Sequence, residues 1–226
     1  MKNYYSLFIF CFAGLSAGLL TGCKKDSMHK GTTSMTEEFD QVYKLQQKGW
    51  VIVDNTVNNA GATATWGQGF VGYDKMGVWY GFTALSYTTT PDEFAYSYII
   101  SPDSSYSISS WLITPVLSVK SGDKISFYTR GDTTGIYTDR MQVLMNHSAS
   151  ANVGNTVYSV GDFTTNLLDI NAEQAAGVYP TIWTKYEYTF SGISEKTDLR
   201  IAFRHYVVNP INARGVGIDY FQLQTN

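Results

Sequence analysis

Three histidines, 19 carboxylic acids and a dense set of aromatic rings are the groups in this 226-residue chain that could carry chemistry. His29, His147 and His205 stand far apart, and none has the HExxH or HxH spacing, or a nearby Cys, that would present two metal ligands together. There is no GxSxG turn and no phosphate-binding loop, and Gly67-Gln68-Gly69 lacks the third glycine of a dinucleotide fingerprint. Two acids from distant strands could still flank a glycosidic bond, so a glycoside hydrolase stays open as an alternative. The missing motifs favour a protein that is not an enzyme. Trp66, Trp79, Tyr80, Tyr87, Tyr96, Tyr98 and Tyr106 crowd into residues 60–110 among polar loop residues. Exposed rings of this kind pack on the C–H faces of sugars, and an exposed apolar patch usually has a purpose. Trp66, Trp79 and Tyr80 are the candidate ligand-binding residues. The competing reading, that these rings fill a core with their polar tips at its edge, stands beside it, and Trp50, Trp111 and Trp183 sit in strand-like runs that favour core.

The elements that must position these groups are strands. Ile125, Phe127 and Thr129 alternate with polar neighbours, as do Met141, Val143 and Met145, Ile182 to Phe190 at even positions, Leu199 to Phe203, and Val216 to Tyr220. Period-two patterns separated by Gly, Ser, Asp and Pro predict an all-β antiparallel sandwich with one wet face per sheet. Pro115 breaks the apolar run 111–119. Phe39, Val42, Tyr43 and Leu45 predict one short N-terminal helix over about 40–47, ended by Gly49. Residues 54–77 read as a long loop, and 37–226 show no break or repeat, hence one domain. Arg130, Asp139 and Arg140 could form an ion pair around the loop 131–138, while Arg204 and His205 point to opposite faces of one strand. A net charge of −3 leaves no footprint for nucleic acid.

Residues 1–22 read as an export signal. Lys2 precedes an apolar stretch from Leu7 to Leu20, too short for a spanning helix of about 20 residues. It ends in Leu20-Thr21-Gly22-Cys23, which resembles a bacterial lipobox. The resemblance implies cleavage before Cys23, its lipidation, and membrane attachment through that lipid, with residues 23–36 as a polar tether. Lys24-Lys25-Asp26-Ser27 resembles in part the surface-export signal of Bacteroides-group lipoproteins. The expected location is the outer membrane of a Gram-negative bacterium, on the cell surface.

Along the rest of the chain EEFD at 37–40, GWVIVDN at 49–55, SSWLITPVLSV at 109–119, ISFYTR at 125–130 and DRMQV at 139–143 follow in order. GDFTTNLLDIN at 161–171, YPTIWTKY at 179–186, LRIAFRHYV at 199–207 and GVGIDYFQL at 215–223 complete the series. This ordered set resembles the choice-of-anchor J domain, related to cleaved-adhesin domains and more distantly to MAM domains. The resemblance implies a jelly roll, an adhesive or binding role without catalysis, and structural calcium as cofactor. Calcium takes six to eight oxygens. Glu38, Asp40 and Asp219 are the candidate metal ligands, because the first and last strands of a jelly roll commonly meet; Asp54 and Asn55 are weaker candidates. The expected partner is a glycan or an extracellular protein, with a structural subunit of an outer-membrane complex as the alternative.

Overall fold

The computed structural model describes residues 31–56, 64–73, 79–86, 88–99, 107–208 and 213–226. The signal segment, Cys23, most of the tether, and Tyr87 and Tyr106 lie outside these residues. Trp79 and Tyr80 are described in their backbone only. In chain order the strands begin with β1 (Met35–Glu37), followed by a 3₁₀ helix (Val42–Lys48) and β2 (Val51–Asp54). Next come β3 (Trp66–Gln68), β4 (Val71–Tyr73), β5 (Trp79–Gly81), β6 (Ala95–Tyr98), β7 (Ile108–Ile113), β8 (Leu117–Val119) and β9 (Lys124–Arg130). The last are β10 (Met141–Met145), β11 (Thr165–Ile170), β12 (Thr184–Thr189), β13 (Thr197–Leu199), β14 (Ile201–Val207) and β15 (Gly215–Gln224).

The architecture is all-β, a jelly-roll sandwich of two antiparallel sheets. The first has the order β12-β9-β15-β6-β3, with β1 also on β15; the second has the order β11-β10-β14-β7-β2. First and last strands do meet, Glu37 opposite Phe221. The predicted helix forms one turn type tighter than an α-helix, and Gly49 ends it with φ 85° while donating its N–H to the Gln46 carbonyl. Pro115 lies between β7 and β8, where no ladder bond is needed.

Alternation places Ile125, Phe127, Met141, Val143, Leu112, Ile201 and Phe203 between the sheets. Edge-to-face rings run through this core: Phe39–Trp50 at 5.4 Å, Trp50–Phe221 at 5.7 Å, Phe221–Phe203 at 5.8 Å and Phe203–Phe127 at 4.9 Å. In β15 the alternation breaks. Ile218 and Phe221 both face inward, because the register with β9 slips between Asp219 and Gln222 and Tyr220 takes φ 51°. This is a bulge, in which one extra residue re-aims the side chains that follow it.

The expected wet outer faces are largely covered. Over the first sheet, Phe82, Ala84, Phe94 and Tyr96 pack into a buried layer with Phe70, Tyr98 and Trp183 at its margin. Over the second sheet, residues 151–163 bury Trp111, Ile113, Leu144, Val153, Phe163 and Ala202. Residues 54–77, read as a long loop, thus include β3 and β4.

Candidate functional site

The predicted ligands come first. Trp66 is 3% exposed with its ring in the main core, and Tyr96 is 2% exposed in the layer over the first sheet. Neither offers a face to a sugar, which corrects the platform expectation for Trp66: its strand pairs with β6 and alternation turns the indole inward. Trp50 and Trp111 are core as expected, at 1% and 0% exposure. Trp183 is not in the main core. It caps the outer layer, its ring 5.6 Å from both Phe82 and Phe94, and donates its Nε1–H to the Thr83 carbonyl. Ile182 lies outside β12 and is 71% exposed.

The predicted calcium ligands are not assembled into a metal site. Among the described residues no group of three His, Cys, Asp or Glu is placed to hold a metal ion. Asp219 is fully buried on the outer side of β15, where its carboxylate accepts N–H bonds from Leu85 at 2.9 Å and Tyr220 at 2.7 Å. These donors present positive hydrogens to the oxygens a cation would need, so the residues do not fit calcium. Burial raises the Asp219 pKa to about 7, against the pull of the Leu85, Tyr220 and Ser86 N–H groups and with a small push from Asp40. Asp40 is exposed and does not cap the helix, whose N-cap Gln41 makes no side-chain cap bond. Asp54 accepts the N–H groups of Thr56 and Ala64, and the Asn55 amide donates to the Gly154 carbonyl, so both shape loops.

The anticipated Arg130–Asp139–Arg140 ion pair does not form. Arg130 lies over the Phe82 ring at 4.3 Å, Arg140 grips Asp169, and Asp139 turns inward to His205. Both Arg204 and His205 are buried, at 1% and 0% exposure. His205 bridges the two sheets: Nδ1 lies 2.9 Å from Ser97 Oγ and Nε2 lies 3.0 Å from Asp139 Oδ1. This Ser–His–Asp row is closed to solvent, and the Ser97 hydroxyl donates to the Ala64 carbonyl at 2.6 Å. A nucleophile must reach substrate with a base poised to take its proton; here the hydroxyl proton points at a carbonyl. The row is a polar staple between sheets.

A set of residues that the sequence pattern did not single out as a site has an open geometry. On the outer face of the second sheet, strand register places Asp169 beside Gln142, Gln142 beside Arg204, and Arg204 beside Trp111. Arg140 Nε and Nη2 clasp Asp169 at 2.7 and 2.6 Å, and the amide groups of Gln142 and Asn166 donate to the same carboxylate at 3.3 and 3.4 Å. The bidentate pair raises the Arg140 pKa, with burial opposing it. Arg204 is held below the row: Nε donates to Ser109 Oγ, Nη1 to Gln142 Oε1 and Nη2 to the Val157 carbonyl, while Trp111 and Tyr206 stack on it at 4.5 and 3.7 Å. Burial lowers its pKa to about 10, so it remains a cation at neutral pH.

The covering loop stops at this row. Asp169, Gln142, Arg140 and Tyr206 are half-buried, Asn166 is exposed, and Tyr158, next to the carbonyl that holds Arg204, is 65% exposed. That loop is braced by Ser159 Oγ donating to the Val153 and Thr156 carbonyls and by Asp162 N–H to the Asn152 carbonyl. Gly161 is required there, since a Cβ would meet the Asn152 carbonyl oxygen at 2.2 Å. The result is a fixed row of carboxylate, guanidinium and carboxamide groups bordered by a free phenol ring. A wet-face pattern in DRMQV and LRIAFRHYV marked these residues individually; which strands stand side by side was the missing information.

No family model matches the chain, and no curated protein matches it. Solved structures do. The K3 cleaved adhesin domain of Lys-gingipain from Porphyromonas gingivalis is 15% identical, with a TM-score of 0.51 over 85% of this chain and 99% of that domain. The K1 cleaved adhesin domain of the same protein is 16% identical at TM-score 0.49, covering 86% and 99% of the two chains. The CBM22-1 xylan-binding domain of Paenibacillus barcinonensis Xyn10C is 13% identical at TM-score 0.40, covering 86% and 96%. The chain shares the β-sandwich fold of the K3 cleaved adhesin domain.

Proposed function

We propose that this chain is a lipid-tethered binding module of the choice-of-anchor J kind, not an enzyme, and that it takes a glycan on the open half of the second sheet. The observation that carries the reading is the fixed row Asp169–Gln142–Arg204 with Arg140, beside the exposed ring of Tyr158. Sugars present pairs of hydroxyls and flat C–H faces, and a site that matches them combines a few convergent polar groups with an apolar surface. Side chains already locked by mutual hydrogen bonds lose little rotamer freedom on binding. The Leu20-Thr21-Gly22-Cys23 signal supports the tether, and the Lys24-Lys25-Asp26-Ser27 stretch supports a place on the outer surface of the outer membrane.

A glycan array probed with residues 31–226 tests the site, since that segment holds every described strand. Reproducible binding to one glycan class, weakened about tenfold or more by Tyr158→Ala and by Gln142→Ala, is the expected result. A blank array, or binding untouched by either substitution, overturns the site. Protease treatment of intact cells tests the location separately: digestion before lysis is expected, and protection until lysis contradicts surface display.

A further inference from the structure

The turn between β12 and β13, residues 190–196, stands beside the end of β10 with a cleft of about 320 Å³ between them. Met145 and Ile193 form its apolar floor: Met145 is buried between the sheets, and Ile193 packs on the same core. Its walls are polar, with His147 on the β10 side and Ser191, Ser194, Glu195 and Thr197 on the other. Both walls are fixed from behind. The Ile193 N–H donates to Ser121 Oγ at 2.8 Å, the Ser121 N–H returns to the Ile193 carbonyl at 3.0 Å, and the Gly122 N–H donates to the Phe190 carbonyl at 2.9 Å. Thr197 Oγ1 donates to the Glu195 carbonyl at 2.9 Å, and His147 Nε2 lies 3.1 Å from Thr165 Oγ1. Asn146 Oδ1 accepts the Ser148 and Arg200 N–H groups, which sets the course of the chain past His147. Against this held frame three polar groups are unspent. Among the described residues the Ser191 and Ser194 hydroxyls and the Glu195 carboxylate have no hydrogen-bond or ion-pair partner.

We propose that this cleft binds one pyranose ring, as a free neutral monosaccharide or as the terminal residue of a glycan. A small-molecule site combines an apolar surface with a few convergent polar groups, in volumes from about 300 Å³ upward. The ring lays its C–H face on Met145 and Ile193 and turns its hydroxyls to Glu195, Ser194 and His147. A carboxylate only accepts, so Glu195 suits a neighbouring pair of hydroxyls, while each serine both donates and accepts. No Lys or Arg lines the cleft, so nothing there offsets the charge of a phosphate or a uronate brought beside Glu195. An aliphatic ligand would leave that carboxylate dried and unpaired, at a cost its own burial does not offset. The cleft is separate from the row on the second sheet. Met145 lies three residues along β10 from Gln142 and on the other side of that sheet, facing the core. The inference therefore does not rest on that row.

Saturation-transfer NMR of residues 31–226 with D-glucose, D-galactose, D-mannose and N-acetyl-D-glucosamine, each compared with D-glucuronate, is the test, followed by titration of the sugar that binds. At least one neutral sugar should bind, and glucuronate should bind more weakly. Glu195→Ala should weaken binding by about tenfold or more, the loss expected when hydrogen bonds to a charged group are removed. Glu195→Gln should keep part of the affinity and admit glucuronate equally well, a change in selectivity that a merely structural role would not produce. Ser194→Phe should abolish binding by filling the cleft, and Gln142→Ala should leave it untouched. A trisaccharide ending in the preferred sugar separates the two sources. Binding as good as that of the free ring supports the proposal for chain ends, and binding of the free ring alone supports it for monosaccharides. No binding of any of the four sugars overturns the proposal, as does binding indifferent to Glu195→Ala and Ser194→Phe. Loss on Gln142→Ala with the cleft variants unchanged also overturns it, and would move the sugar to the row on the second sheet.

Discussion

The two outer faces of the sandwich solve one problem in different ways. Each carries a buried arginine that forms no salt bridge among the described residues: Arg130 over the first sheet and Arg204 over the second. Arg130 lies against the rings of Phe82 and Trp183, with its Nε donating to the Gly131 carbonyl. Burial lowers its pKa, and Asp132 opposes that shift. Arg204 sits at the rim of a half roof, where its fork is filled by three neutral acceptors and two rings. A guanidinium tolerates such burial because it is weakly hydrated and stacks on aromatic faces. The first face therefore uses its cation to fill space beneath aromatic rings. The second uses its cation to hold Gln142 and the Tyr158 loop in place beside open solvent, which is why the candidate site lies there.

Removing the second cation should have the largest effect. Arg204→Ala leaves Ser109, Gln142 and Val157 without their donor and a void between Trp111 and Tyr206. A cost of about 3–4 kcal/mol in urea unfolding is expected, together with loss of whatever ligand the face binds. Arg204→Lys should recover only part, since an ammonium cannot fill the planar fork. A cost under about 1 kcal/mol for the alanine variant would show that the loop 151–163 is held by its apolar residues alone, and the contrast between the faces would disappear.

The sandwich itself was legible because alternation in 125–130, 141–145 and 201–207 reports burial on one face directly. Three features were not. The bulge at Asp219 reverses the parity of β15, so GVGIDYFQL cannot be read with a single period. The layer of Phe82, Ala84 and Phe94 over the first sheet comes from short, polar-rich runs. It is held by Glu93, whose carboxylate gathers the Thr88, Thr89 and Thr90 N–H groups, and by Gln68, which bonds the Val42 N–H and the Phe39 and Asp92 carbonyls. The acids Glu37, Asp123, Asp139 and Asp219 are buried and bonded to N–H groups or cations, partners that come from distant segments or turns and that residue type alone does not announce. The candidate site needs the pairing of β11, β10 and β14, and pairing is a long-range property that no local window contains.

Two glycines sharpen the comparison at the first face. On Gly217 a Cβ would meet Phe82 at 2.7 and 2.9 Å and Trp183 at 3.1 Å, so the roof rests on that backbone. Gly217→Ala should cost about 1–3 kcal/mol by lifting both rings. A Cβ on Gly67 in β3 would meet no described atom within 4 Å, and Gly67→Ala should change stability by no more than about 0.5 kcal/mol. Thermal unfolding of the pair separates a roof packed on β15 from one that merely passes over it; equal shifts would contradict the packed roof.

The smallest effect concerns how the first face is fastened. Asp219 ties the 84–86 segment to β15, and its folded pKa of about 7 stands above the ordinary value of 3.8, chiefly through burial. The folded state thus binds this proton more tightly than the unfolded chain. The stabilising contribution is complete below about pH 3.8 and is lost as pH rises through about 7. Asp219→Asn carries no charge to bury, so its melting temperature relative to wild type should rise between pH 5 and pH 8 by a few degrees, about what 1 kcal/mol produces in a domain of this size. Its absolute stability should be lower, because a carboxamide offers one oxygen where two now accept. Calcium should not alter the wild-type profile, since the Leu85 and Tyr220 N–H groups already occupy the carboxylate. A flat difference between the two proteins from pH 5 to 8 would mean that the carboxylate stays ionised on its N–H donors throughout. Those donors, and not the proton, would then fasten the roof, and the two faces would hold their loops by the same kind of bond.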